Sequence, residues 1–124
     1  MTIPDYQSIM LPLLEIVSDD QEHNIREIID RVAEKFQLSD DERRELLPSG
    51  RQAAFDNRVG WARTYLKKAG LIEAPKRGYV RITERGHKVL AEKPERIDAK
   101  FLRRYPEFVD FVTVKPTDNG SRKN

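Results

Sequence analysis

The 124-residue sequence has no cysteine, and it has only two histidines, one tryptophan and six glycines. Without cysteine there is no disulfide framework, no thiolate metal centre and no thiol nucleophile. His23 lies in a polar turn and His87 in a basic helix, so both rings are expected to be solvated and no imidazole metal site is expected. No apolar run approaches the roughly 18 residues a membrane helix needs, and no cationic-then-apolar leader opens the chain. A cysteine-free chain suits a reducing cytoplasm, which is the expected location. Glycine-rich phosphate loops, nucleophile elbows and acid/base dyads are also missing. Asp98-Ala99-Lys100, following Pro94-Glu95, only loosely echoes the carboxylate–lysine cluster of a metal-dependent nuclease. Its acids are crowded near a helix start, with no strands to converge them on a cation. The expectation is therefore no catalytic residue, no metal and no cofactor: this chain alone is not an enzyme.

What is present is charge, unevenly spread. Hydrophobic residues make up 38 % and charged residues 35 %, which suits one folded domain rather than a disordered chain. Residues 1–50 carry 5 Lys/Arg and 12 Asp/Glu, net −7; residues 51–90 carry 10 and 3, net +7; residues 91–124 carry 8 and 6, net +2. A basic middle points to a polyanionic partner, or to a face neutralised by the acidic first half.

Helical grammar runs through the first seventy residues. Asp5 caps a first helix whose apolar stripe is Tyr6, Ile9, Met10, Leu13, Leu14 and Val17, with a kink expected at Pro12. Asn24 with Glu27 reads as a capping box for a second helix, and Ser39 with Glu42 as one for a third that runs through Leu46 and Leu47 to Pro48. A fourth helix is predicted from about Gln52 to Ala69, closed by Gly70. The period then changes. Leu71–Glu73 and Tyr79–Ile82 flank Ala74-Pro75-Lys76-Arg77-Gly78, a hairpin with a basic tip. Thr83 caps a fifth helix, and residues 98–112 read as two short helical pieces around Pro106 that fold back on the core.

The predicted fold is mainly α with a small β-hairpin, in winged helix-turn-helix order. It would occupy residues 1–112 as a DNA-binding domain, with 113–124 as a disordered tail or linker. On a helical wheel Phe55, Val59, Ala62, Leu66 and Ala69 form the core face of the fourth helix. The opposite arc holds Asn57, Gly60, Trp61, Thr64, Lys67 and Lys68, with Arg58 and Arg63 on the two flanks and no acid after Asp56. Asn57 can pair with an adenine edge or a phosphate. Gly60 either admits a close backbone approach or packs against a neighbouring helix. Trp61 either covers the hairpin or meets a base. Ser49, Arg51 and Gln52 sit where a helix start attracts phosphate, and Lys76 and Arg77 sit at the hairpin tip beside the DNA backbone. These twelve residues are the candidate DNA-binding set.

Long stretches of the sequence resemble the N-terminal domain of Mrr-type restriction endonucleases. They include Ile3–Gln7, Met10–Leu14, Glu45–Arg51, Phe55–Leu71, Ile82–Gly86, Pro94–Asp98 and Phe101-Leu102. The resemblance implies a winged-helix DNA-binding domain of a type IV, modification-dependent restriction system acting on methylated foreign DNA. It also implies a parent protein in which a PD-(D/E)xK nuclease domain follows. Double-stranded DNA, methylated or not, is the expected partner, with no membrane. The alternative is a stand-alone winged-helix transcriptional regulator, for which the Phe101–Val112 segment is a candidate homodimer interface. A protein-binding winged helix is a third possibility, disfavoured by the basic middle.

Overall fold

The computed structural model describes residues 3–113; of the tail predicted at 113–124, Thr113 is helical and 114–124 lie outside the described residues. Seven helices and three strands follow in the order α1 (Tyr6–Ile16), β1 (His23–Asn24), α2 (Ile25–Lys35), α3 (Asp40–Arg44), α4 (Ala54–Lys68), β2 (Ile72–Glu73), β3 (Tyr79–Ile82), α5 (Glu84–Ala91), α6 (Ala99–Leu102) and α7 (Pro106–Thr113).

The caps written into the sequence fix where most helices begin. Ser8 N–H donates to Asp5 Oδ1 at 2.7 Å, and Arg26 N–H to Asn24 Oδ1 at 2.7 Å. At α3 both halves of the Ser39–Glu42 capping box are formed. Glu27 does not complete the box predicted for α2. The backbone of Asn24 pairs instead with Tyr79 of β3, and the Glu27 carboxylate turns to His23 and Arg31. α1 runs as one helix through Pro12. α3 is shorter than its sequence suggests, because Glu45 is already extended (φ −58°, ψ 128°) and leads Leu46 and Leu47 away from the helix.

The hairpin gains a strand that its sequence did not advertise. β1 pairs antiparallel with β3, His23 facing Val80 and Asn24 facing Tyr79, so the sheet order is β1-β3-β2. Gly70 turns the chain from α4 into β2 at φ +81°, a left-handed value that favours glycine. The Thr83 hydroxyl donates to Gly70 O at 2.6 Å and accepts from Gly86 N–H at 3.1 Å, so one side chain both closes this turn and caps α5.

α4 is the axis of the core. Phe55, Val59, Ala62 and Leu66 are fully buried, as are Ile9, Met10, Leu13 and Leu14 of α1. The predicted core face of α4 is therefore the observed one, and Leu66→Ala would remove about 2–5 kcal/mol of stability. Ile28 and Val32 of α2, Val80 and Ile82 of β3, and Val89 of α5 join the same cluster. The two C-terminal helices do fold back on it: Leu102 and Phe108 are fully buried. Arg85 fastens them from outside the core. Its guanidinium donates to Ala69 O at 2.8 Å, lies over the Tyr105 ring at 4.6 Å and pairs with Glu107 at 3.2 Å.

Candidate nucleic-acid interface

The segment between α3 and α4 is a narrow loop with β-like closure. Ala54 N–H donates to Glu45 O at 2.7 Å and Leu47 N–H to Gln52 O at 3.0 Å, with Leu46 bridged to Ala53. Pinching the loop at its base drives Pro48–Arg51 outward, so Ser49, Arg51 and Gln52 are all exposed immediately before α4. Leu46 is also turned out, at 57 % exposure. α4 starts at Ala54, two residues later than predicted, behind an Ala53 cap with no side-chain hydrogen bond.

Beyond that loop, Gln52, Asn57, Gly60, Trp61, Arg63 and Thr64 line an open depression of about 240 Å³ on the outward face of α4. Asn57 Nδ2 donates to Gln52 Oε1 at 3.2 Å, which joins the loop to the helix face and leaves the Asn57 carbonyl oxygen available. A Cβ at Gly60 would meet nothing within 4 Å, so this glycine does not pack against a neighbouring helix. Its role in the geometry is to keep the depression open.

The flanks differ from one another. Arg58 is half-buried and donates to Ile3 O at 3.1 Å, so one of its nitrogens holds the N-terminal segment. Trp61 is 49 % exposed. Its aromatic neighbour is Tyr65, one helical turn on, with ring centroids 6.2 Å apart at 89°. Tyr65 in turn meets Tyr6 of α1 at 4.9 Å and 72°. Lys67 and Lys68 are exposed near the end of α4, and Lys68 Nζ lies 5.3 Å from the centre of the Phe111 ring.

The hairpin tip stands close to the start of α2, and α2 close to the start of α4. Ile25 N–H donates to Gly78 O at 2.8 Å, and Arg26 reaches Asp56 of α4 at 3.3 Å. Tip, α2 start and α4 start thus form one surface. Arg26 belongs to it, but its neighbours are thirty or more residues away in sequence and no local signal marks it. At the tip, Arg77 is exposed, while Lys76 Nζ lies 4.4 Å from the Tyr79 ring centre and 3.7 Å from Glu22.

Neither histidine is simply solvated. His23 is 5 % exposed, with Nε2 2.8 Å from Asp19 and Nδ1 2.9 Å from Glu27. Burial opposes charge on this ring, but the hydrogen bonds from Asp19 and Glu27 outweigh it and raise its pKa above 6.5. The ring clamps the Asp19 turn against α2 where β1 meets β3. His87 Nε2 lies 2.6 Å from Asp20 of the same turn. Asp98 of the loose nuclease echo is a cap, accepting from Phe101 N–H at 2.8 Å. Among the described residues no three acids or histidines are grouped to hold a metal ion.

A mainly helical domain with a three-stranded antiparallel sheet, arranged in winged-helix fashion, presents a helix face, a loop and a hairpin tip on one side. The family model "Mrr N-terminal domain" matches residues 6–92, and the chain belongs to that family. Among curated proteins it is similar to the type IV methyl-directed restriction enzyme EcoKMrr of Escherichia coli (strain K12), at 32 % identity over 96 residues. That alignment takes in 77 % of this chain but only 31 % of the relative, so the chain spans about a third of that enzyme's length. No solved structure gives a significant match. No helix among the described residues is long and apolar enough to cross a membrane.

Proposed function

We propose that this domain binds duplex DNA and serves to bring a modification-directed restriction activity, carried elsewhere in a longer protein, to methylated foreign DNA in the cytoplasm. The outward face of α4 enters the major groove, with Asn57 and Thr64 toward base edges. Ser49, Arg51 and Gln52 meet the phosphates on one side, and Lys76 and Arg77 meet the backbone beside the hairpin.

One observation carries this reading. Among the described residues nine cations take part in no ion pair; six of them, Arg51, Arg58, Arg63, Lys67, Lys68 and Arg77, lie in the α3–α4 loop, on α4 or at the hairpin tip, and the other three, Lys93, Lys100 and Arg103, lie between α5 and α7. Asp56, the one acid in α4, is already matched by Arg26. The uncompensated charge therefore gathers where a polyanion would lie. The methyl-directed character of EcoKMrr supports the choice of DNA substrate. The regulator alternative draws its dimer surface from Phe101–Val112, but Leu102 and Phe108 of that segment are buried within their own chain.

Fluorescence anisotropy on methylated and unmethylated duplexes of one sequence, at salt from about 50 to 200 mM, tests the proposal. The expected result is steep weakening with salt and tighter binding of the methylated duplex. Affinity that ignores salt would refute DNA binding by this face, and equal affinity for both duplexes would refute methyl-directed targeting by this domain.

A further inference from the structure

Beside the outward face of α4 lies a second depression, of about 260 Å³, lined by Tyr6, Trp61 and Tyr65. Trp61 is a wall of both, so the aromatic hollow continues the surface assigned above to DNA. Its rings stand nearly perpendicular, 72° between Tyr6 and Tyr65 and 89° between Tyr65 and Trp61, which leaves the exposed flat of the indole without a stacking partner. Burial and the neighbouring Tyr65 push the Tyr6 phenol above its usual 10.0, and no Asp, Glu, Lys or Arg lines the hollow. An uncharged aromatic hollow suits a neutral planar ring rather than an anion. Lys68, about two helical turns beyond Trp61 on that flank, supplies the cation that such a ring's phosphate would need.

We propose that the Tyr6–Trp61–Tyr65 hollow receives a single nucleobase extruded from the duplex, stacked on Trp61 with its phosphate near Lys68. This rests on the DNA-binding reading. Swinging a base out costs a few kcal/mol, least for a mispaired base, and stacking on an aromatic ring returns about 1–3 kcal/mol. The hollow should therefore favour duplexes in which one base is already loosely held.

Trp61 is the sole tryptophan, so emission excited selectively in the indole, apart from the four tyrosines, reports on this ring alone. The probes are two duplexes of the same sequence, one fully paired and one with a single central mismatch, with anisotropy recording binding. The expected result is at least about fivefold tighter binding of the mismatched duplex, with deeper quenching of Trp61 at saturation. Trp61→Ala should lower affinity for the mismatched duplex more than for the paired one and so abolish the mismatch preference, and Trp61→Phe should retain part of it. Circular dichroism confirms that both variants fold. Saturable binding with equal quenching on the two duplexes would overturn the inference and leave the DNA-binding reading intact. Failure to bind either duplex would overturn both.

Discussion

α2 and α4 are both amphipathic, both packed on α1, and both end in lysine, yet they treat their cations in opposite ways. On α2 each cation has an acid: Arg26 with Asp56 at 3.3 Å, Arg31 with Glu27 at 3.2 Å, Lys35 with Glu15 at 3.5 Å. On α4 none has. Arg58 donates to backbone carbonyls, Lys68 rests over Phe111, and Arg63 and Lys67 are in no ion pair among the described residues. Exposed ion pairs are worth about 0–1 kcal/mol each, so stability does not explain the difference. The field does. α2 presents a neutralised face, and α4 presents a positive one.

The most forceful way to break this comparison is to remove cations from each helix in turn. Replacing Arg63 and Lys67 with Ala should weaken DNA binding by roughly tenfold or more near 0.1 M salt and flatten the salt slope by up to about two units. Arg31→Ala with Lys35→Ala should leave the slope where it was. Equal losses in the two variants, measured by anisotropy against salt, would mean that the pairing pattern does not locate the interface.

Within the basic surface, the helix face and the hairpin tip should separate. Asn57→Ala is expected to narrow the gap between preferred and random duplexes by about 1–3 kcal/mol, with less effect on random DNA. Lys76→Ala with Arg77→Ala should lower affinity alike on every sequence, reducing the salt slope by up to about two units. A competition titration that showed the tip variant losing sequence preference would make the hairpin the reader.

Two glycines sharpen the contrast between a face kept open and one packed shut. Gly86→Ala would place a Cβ 2.3 Å from Leu71 O, and backbone cannot yield cheaply, so a loss of about 1–3 kcal/mol is expected in chemical denaturation. Gly60→Ala meets empty space and should stabilise the fold by about 0.5–1 kcal/mol while reducing DNA affinity. A Gly60→Ala protein that binds as well as the parent would show that the depression is not used.

The smallest expected effect concerns pH. Because the folded pKa of His23 lies above 6.5, the stability its charge contributes is complete below that value and lost as pH rises through the folded pKa. Hydrogen bonding to His23 lowers the pKa of Asp19 below 3.8 and of Glu27 below 4.5, so their contributions are lost at the acid end, as pH falls through the folded values. Melting temperature should decline from about pH 6.5 upward, and His23→Gln should flatten that decline. An unchanged profile in the variant would remove His23 as the cause.

Local chemistry was legible and long-range pairing was not. Asp5, Asn24, Ser39 and Thr83 each cap the helix they were expected to cap, because a cap is settled within three residues. The core face of α4 followed from spacing alone. β1 was missed because two polar residues carry no alternation; they become a strand only because β3 lies beside them. The same is true of His23, whose burial depends on that pairing. Leu46 and Leu47 looked like the end of a helical stripe, but the loop closes on Ala53 and turns Leu46 to solvent. For the candidate site, the wheel placed Asn57, Gly60 and Thr64 on one face, yet it could not say that Tyr65, the aromatic neighbour of Trp61, would meet Tyr6, which is set by how α1 crosses α4.

Arg85 has a mechanical consequence. One guanidinium grips the last carbonyl of α4, lies over Tyr105 and pairs with Glu107 at the head of α7. α7 and the turn before it are thus tied to the C-terminal end of α4 through a single side chain, so loss of that one group would loosen three attachments at once.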